Sequence, residues 1–436
     1  MGINSCGTTL IDEGLFKNIG AITWDTTAKT TGFTAVSGNG YFVNTTSGAI
    51  TVTLPSSPSA GDVVGIADYA NTADTNNITI GRNGSPIQGD SADFTINTEG
   101  RSVLLVYVDG TQGWVITDAS KAADITEQAT FITATGGTET TCGDFKIHTF
   151  TSPGTFCVSS IGNPVGGPNN VDYLVQAGGG GGGGNQGSPS TASGGGGAGG
   201  FRASAGTETG CYSVSPSQSG VSALPITVQG YPISVGGGGS GGGPGSESRG
   251  GTGGNSIFST ITSAGGGGGG TSGSSVPNRT GANGGSGGGG NAPPHTGSGG
   301  SGNTPSVSPP QGNNGGAGGG TAAAGGGGGL AGSGTNGGTG CVVKGGYGGA
   351  GADSNIDGTT IYVGQGGGGG AGPCGCVGLG GGSNTNRTAG NGGRVGSFGG
   401  SNGTANRGGG GGGSGGPGTS GGNAGSGIVI IRYKYQ

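Results

Sequence analysis

Apolar and polar residues alternate with a period of two through the first quarter of the chain, the pattern of strands with one buried face. Ile50-Thr51-Val52-Thr53-Leu54 is the clearest run. The same reading predicts strands at 21–24, 33–36, 40–43, 50–54, 62–68, 77–80, 93–98, 102–108 and 113–117. Turn residues separate them: Ser37-Gly38-Asn39-Gly40, Pro55-Ser56-Ser57-Pro58, Gly81-Arg82-Asn83-Gly84 and Asp109-Gly110. Strands at about ten-residue spacing predict an antiparallel β-sandwich or small barrel over 21–118, with Trp24 and Trp114 as core plugs. Before it, Leu10-Ile11, Leu15-Phe16 and Ile19 mark 1–20 as a short amphipathic helix, a docking arm or a mobile terminus. Residues 119–129 read as a linker. Strands resume at 130–135, 145–150, 154–158 and 171–176, opening a second β-domain over 130–436.

At Ala177 the alternation stops. Of 125 glycines, 102 follow it, and the seven-glycine run Gly178 to Gly184 comes first. The pattern returns only at Ile428-Val429-Ile430-Ile431-Arg432-Tyr433-Lys434-Tyr435. Such a stretch has too few large side chains to offset its backbone entropy by apolar burial, so it is a flexible linker or it is ordered by backbone hydrogen bonds. Three features favour order. Strand-like pieces interrupt it at 225–229, 233–235 and 257–262; strong β-formers bracket it; and only 11 charged residues lie between Gly178 and Gly427. Polyglycine runs break any strict Gly-X-Y period, which excludes collagen. The expected fold is therefore all-β, with the second domain carrying a large polyglycine II helix bundle over 178–427. In it, left-handed three-residue turns without Cβ atoms approach until each N–H meets a neighbouring carbonyl.

Composition narrows the chemistry. A net charge of −5 with 8% charged residues and no basic run leaves no electrostatic footprint for nucleic acid. No apolar run approaches the ~18–20 residues of a membrane span. The start resembles neither a secretory signal nor a complete myristoylation signal, because Cys6 stands where that motif takes Ser or Thr. Seven cysteines without a Cys-x2-Cys pair, and only His148 and His295, argue against zinc and for synthesis in a reducing cytoplasm. Cys142 and Cys157 flank a predicted hairpin, where a bond or two free thiols would fit. Lys344 follows no phosphate-loop pattern, and Gly-x-Gly-x-x-Gly matches carry no information in this composition. Asp353 and Asp357 lie four apart in Gly351-Ala352-Asp353-Ser354-Asn355-Ile356-Asp357-Gly358, without the closing Glu of a calcium loop. No enzyme activity, cofactor or metal is expected.

Two resemblances add to this reading. The stretch Gly40-Tyr41-Phe42-Val43-Asn44-Thr45-Thr46-Ser47-Gly48-Ala49-Ile50-Thr51-Val52-Thr53-Leu54-Pro55, with Ala60-Gly61-Asp62-Val63-Val64, resembles β-modules of tail-fibre and appendage proteins of marine and cyanobacterial phages. The order Phe150-Thr151-Ser152-Pro153-Gly154-Thr155-Phe156, Val171 to Ala177, Gly199-Gly200-Phe201-Arg202, Pro225 to Val235 and Ser426 to Tyr433 is similar to glycine-rich domains of phage fibres and adhesins. The resemblance implies a virion protein, a tail fibre or tail-tip adhesin, displayed on the particle after synthesis in the host cytoplasm. Its partners would be a host receptor (a glycan or an outer-membrane protein), other virion proteins and two further copies in a homotrimer. A capsid or filament decoration without a receptor role is the alternative; an ice- or surface-binding protein is a third, which the lack of regular Thr-x-Thr ranks disfavours. Exposed aromatics and charges on rigid loops suit receptor contact. On that ground Arg279, His295, Tyr347, Asp353, Asp357, Tyr362 and Phe398 are the candidate contact residues, whereas Tyr231 and Phe258 read as core.

Overall fold

A computed structural model describes the chain except residues 1–2, 6–7, 12–21, 121–128, 165, 188–190, 207–211, 213–220, 246, 274–275, 321, 340–342, 373–374, 377–387 and 395–398. It divides into two compact units, Met1–Glu127 and Gln128–Gln436. Where a helix or arm was expected at the start, Ile3–Ser5 (β1) pairs antiparallel with Thr8–Ile11 (β2). The rest of that apolar pattern and most of the 119–129 linker lie outside the described residues.

The first unit forms its nine predicted strands but not the predicted pairing. Thr23–Lys29 (β3), Phe33–Thr34 (β4), Asn39–Val43 (β5), Ile50–Thr53 (β6), Val63–Asp68 (β7) and Ile78–Gly81 (β8) alternate between two sheets. Each strand's successor in its own sheet therefore arrives two elements later, running the same way. β3, β5 and β7 are parallel neighbours, and so are β4, β6 and β8. Phe94–Ile96 (β9), Ser102–Asp109 (β10) and Gly113–Ser120 (β11) add antiparallel partners, and Asp109-Gly110 turns the one hairpin among these strands. The sheet orders are β11-β10-β7-β5-β3 and β4-β6-β8-β9; neither closes, so the barrel expectation is corrected to two open sheets. Two of the four turn clusters, 37–40 and 55–58, carry the chain from one sheet to the other instead. Tyr41, Val43, Ile50, Val52, Leu54, Val64, Ile66, Ile78, Ile80 and Trp114 fill the space between the sheets. Trp114 is fully buried, but Trp24 is 41% exposed and is no core plug.

The second unit is organised on Ile428–Lys434 (β26), whose first six residues are all buried. Its register joins Phe145–Phe150 (β14) on one side and Asn170–Gln176 (β16) on the other, both antiparallel, so the two stretches bracketing the glycines pair directly. Thr138–Cys142 (β13) and Phe201–Ala203 (β17) complete the order β13-β14-β26-β16-β17, and Leu224–Pro225 (β18) also pairs with β16. A facing sheet runs Thr133–Thr135 (β12), Gly154–Ser160 (β15), Gly230–Ser234 (β19), Ser256–Phe258 (β20) and Ile261–Ser263 (β21). Strand periodicity splits β26 between two cores. Val429, Ile431 and Tyr433 pack with Phe156, Tyr173, Tyr231 and Phe258 between the sheets; Ile428 and Ile430 pack with Ile147, Leu174 and Phe201 on the other face. Cys142 and Cys157 are free.

His148 is enclosed in the first of these layers. Its Nδ1 donates to the Gly136 carbonyl at 2.7 Å, its Nε2 lies 3.1 Å from the Tyr433 hydroxyl, and its ring stacks on that phenol. Burial holds its pKa below the ordinary 6.5, against the opposing pull of the Gly136 carbonyl and Glu139.

The expected polyglycine II helix bundle is also corrected. Among the described residues the single helix is the four-residue Val276–Arg279, and the glycine runs form no helical element. An extended glycine chain makes no hydrogen bond within itself, so all its order resides in bonds between segments. The run from Gly178 donates outward in rotation. Gly178 and Gly181 donate to the carbonyls of Gly254 and Gly251, Gly179 and Gly182 to Gly425 and Gly422, and Gly180 and Gly183 to Gly197 and Gly194, at 2.8–3.1 Å. It accepts in the same rotation from Gly266 and Gly269, Gly239 and Gly242, and Gly411 and Ser414. Six segments thus surround one. A Cβ on Gly182 would lie 1.9 Å from the Gly412 carbonyl oxygen, and one on Gly180 2.2 Å from that of Gly267. Ala177, Phe201, Val235, Ala264 and Gly427 mark where these segments join strands, all at one end of the paired sheets.

Gly182→Val should therefore destabilise the second unit by at least about 3 kcal/mol through overpacking and lost bonds. Gly237→Ala should melt with the parent, because a Cβ there meets nothing within 4 Å. Equal melting temperatures for all three proteins would refute the close-packed arrangement.

A second expectation concerns pH. The folded imidazole resists protonation while the unfolded one takes a proton near 6.5, so the second unit should lose stability as pH falls below 6.5 and hold it above. In His148→Asn that part of the slope should vanish, as denaturant midpoints measured from pH 7.5 to 5 would reveal.

Candidate recognition surface

Four glycine runs leave the sheet end and each stops at a buried polar residue: Gly184 at Asn185, Gly270 at Thr271, Gly290 at Asn291 and Gly413 at Ser414. Asn185, Thr271 and Asn291 supply side-chain hydrogen bonds where backbone partners run out. The Thr271 and Ser193 hydroxyls both donate to the Gly184 carbonyl at 2.7 Å. Asn185 donates to the Thr191 carbonyl and accepts from Gly187 N, the Thr191 hydroxyl and the Ser272 hydroxyl, which binds its own turn to the one that follows Thr271. Asx-type bonding of this kind lets short loops hold a single shape.

On that end sit Glu247, Arg249 and Arg279. The Gln186 amide donates to Glu247 at 3.1 Å, and the Arg249 guanidinium reaches the Pro277 carbonyl at 3.2 Å. Arg279 ends the short helix half-buried; its Nε donates to the Gly273 carbonyl at 3.1 Å and its own carbonyl accepts from Asn291. His295 is exposed in the turn that follows, beside the cis peptide Pro293-Pro294. Arg279 and His295 are thus brought to one end. Asn185, Gln186, Glu247 and Arg249 join them, and reading the sequence missed these four. For Asn185 and Gln186 the signal is the polar residue that closes a glycine run; Glu247 and Arg249 follow a run closed by Pro244 and carry no such mark.

Three other candidates gather elsewhere. Ala352–Ser354 (β23) and Ile361–Val363 (β24) form a hairpin in which Asp353 stands opposite Tyr362, with Asp357 in the turn accepting from Thr359 N and Oγ1. Ala352, Ile356, Ile361 and Val363 pack this hairpin on the outer face of the β26 sheet. Arg432 anchors its tip. The guanidinium is buried, donates from Nη1 to the Ile356 carbonyl at 3.1 Å and lies over the rings of Phe145 and Tyr212 at 4.5 and 5.7 Å. Asp172 stands opposite it in the strand register and accepts from Ser204 at 2.6 Å. Burial pushes the Tyr212 hydroxyl far above its ordinary range, so it acts as a neutral hydrogen-bonding group. The cluster has the residue types of a catalytic site, but Arg432 and Asp172 are buried beneath the hairpin. Tyr347 is 43% exposed, its backbone bound on both sides to Thr335, and belongs to neither group. Phe398 lies outside the described residues. Val343–Lys344 (β22) pairs in parallel with Gly375–Cys376 (β25).

A family model for the glycine-rich domain matches residues 151–434, more than half of the chain. The chain belongs to the glycine-rich domain family. The matched span opens at the turn into β15 and ends within β26, so the glycine-rich domain contains the strands that close it as well as its glycines. No curated protein matches the chain. Among the described residues no group of His, Cys, Asp and Glu could hold a metal ion, and no helix is long and apolar enough to cross a membrane.

Arg432→Met should cost about 1–3 kcal/mol by leaving the Ile356 carbonyl without its donor in the core. It should also speed amide exchange at Gly358 and Thr359 while leaving Gly182 protected. Unchanged exchange in the hairpin would show that Arg432 does not hold it.

Proposed function

We propose that this protein is a non-enzymatic virion appendage, a tail fibre or tail-tip adhesin, whose glycine-rich domain presents rigid turns to a receptor on the host surface. The observation that carries the reading is the segregation of side chains. The interior of the glycine region is backbone bonded to backbone, while Gln186, Glu247, Arg249, Arg279 and His295 are collected on the turns at the end away from the sheets. Rigid loops lose little entropy on binding, which suits recognition of a glycan or an outer-membrane protein. The resemblance of residues 40–64 to phage appendage modules and of 150–433 to fibre domains points the same way. Assembly as a homotrimer through the first unit, with other virion proteins as neighbours, belongs to the same proposal.

Gold-labelled antibody against the chain, applied to intact particles from cells expressing its gene cluster, should decorate tail tips. The purified chain should also compete with adsorption of those particles. Label on heads, without competition, would transfer the protein to the decoration class. Absence from particles altogether would overturn the virion reading.

A further inference from the structure

The outer face of the first unit's larger sheet carries a groove that none of the preceding roles uses. One row of its strand register reads Trp24, Gly40, Gly65, Leu104 and Asp118 across β3, β5, β7, β10 and β11. Residues in register across a sheet project to one face. Two adjacent glycines leave the middle of that row without side chains. The indole lies down into the space: a Cβ on Gly40 would meet Trp24 Cδ2 and Cε3 at 2.6 Å, and one on Gly65 would meet Ile22 Cδ1 at 3.0 Å. Phe42, two residues on along β5, supports the indole at a centroid distance of 4.9 Å and an interplanar angle of 32°.

Covering a glycine is reason enough for an aromatic to sit there. Trp24 does more than cover, since 41% of it stays exposed and it walls a groove of about 250 Å³. Ile22, Gly65, Ser102, Leu104 and Asp118 line the remainder. That volume lies just below the roughly 300–1,000 Å³ of sites for drug-sized ligands. One flat aromatic wall, a side-chain-free floor, and a carboxylate and a hydroxyl at the far side define the chemistry. The carboxylate excludes anions. A quaternary ammonium calls for several aromatic faces around it, and Phe42 backs the indole rather than facing it.

We infer that this groove is a saccharide-binding site. The C–H face of one pyranose ring stacks on Trp24, and its hydroxyls donate to Asp118 and exchange hydrogen bonds with Ser102. The weakly positive C–H hydrogens complement the negative face of the indole, and the two polar groups fix which hydroxyls are read. The site lies wholly in the first unit and does not rest on the adhesin reading of the second.

The chain has two tryptophans, and Trp114 is buried, so iodide quenching of the full-length protein reports on Trp24. Glucose, galactose, mannose and N-acetylglucosamine, with their short oligomers, should be titrated at millimolar concentration, with choline in a parallel arm. At least one saccharide should protect Trp24 from iodide and shift its emission. Asp118→Asn, a change at an exposed position, should weaken that protection at least fivefold, and Trp24→Phe should retain binding by isothermal titration while Trp24→Ala loses it. The proposal is overturned if iodide fails to reach Trp24 in the free protein. It is equally overturned if no saccharide protects it, if choline alone does, or if Asp118→Asn binds like the parent. None of these outcomes bears on where the chain sits on a particle.

Discussion

Carbonyl oxygens of neighbouring segments stand where the Cβ atoms of the glycine runs would be, and this close approach is what the second unit depends on. Around Gly178 to Gly184 every candidate Cβ position lies within 2.3 Å of a carbonyl oxygen from another segment. Only at that spacing can N–H and C=O groups meet between segments at 2.8–3.1 Å. Extended chains at ordinary sheet spacing bond to two neighbours; with three donor directions and three acceptor directions, the central run here bonds to six. The bonding replaces an apolar core for a region that has few apolar side chains to bury. Its weakness is intolerance, because a single methyl group inserted in the interior must displace backbone rather than a side chain.

Such an array has no means of fixing its own ends or register, since one glycine is like the next. The paired sheets supply both. β16 and β26 set Gln176 opposite Ile428, and β16 and β17 set Gln176 opposite Phe201, so three segments start in a fixed relation. The facing sheet is clamped to the same point: the Ser256 hydroxyl donates to the Gln176 carbonyl at 2.8 Å and the Ser263 hydroxyl to that of Val175 at 2.7 Å. β26 can do this because it is apolar on both faces, with Arg432 the exception that reaches out to hold the hairpin above it. At the other end Asn185, Thr271 and Ser193 terminate the bonding with side chains.

The first unit reaches order by ordinary means, a buried apolar layer between two sheets. Its parallel coiling has a consequence for surface chemistry: equivalent positions on successive turns line up in rows, so two glycines in one row make a trough and not merely two gaps. The Trp24 indole lies down into that trough.

Read alone, the sequence determined where the strands of the first unit lie, because period-two burial is written locally, but not where they end: β3 runs Thr23–Lys29 where 21–24 was expected. It determined that Val171 to Gln176 and Ile428 to Tyr435 belong together, because no other stretch near the glycines is as strongly β-forming. It marked Tyr231 and Phe258 as core for the same reason. Pairing direction was not local: Pro55 to Pro58 is compatible with a reversal or a crossing, and the tertiary structure chose crossing there, whereas Gly81 to Gly84 leads to β9, the antiparallel neighbour in the same sheet. The character of the glycine region was decided in the same way, since hydrogen bonds between segments leave no trace in any one segment. Of the candidate contacts, Asp353, Asp357 and Tyr362 were near in sequence and stayed together in a hairpin, while Arg279 and His295 were carried to the opposite end. Their neighbours there, Gln186, Glu247 and Arg249, come from other turns. Only the packing of glycine segments, which no side-chain pattern encodes, decides which turns share an end.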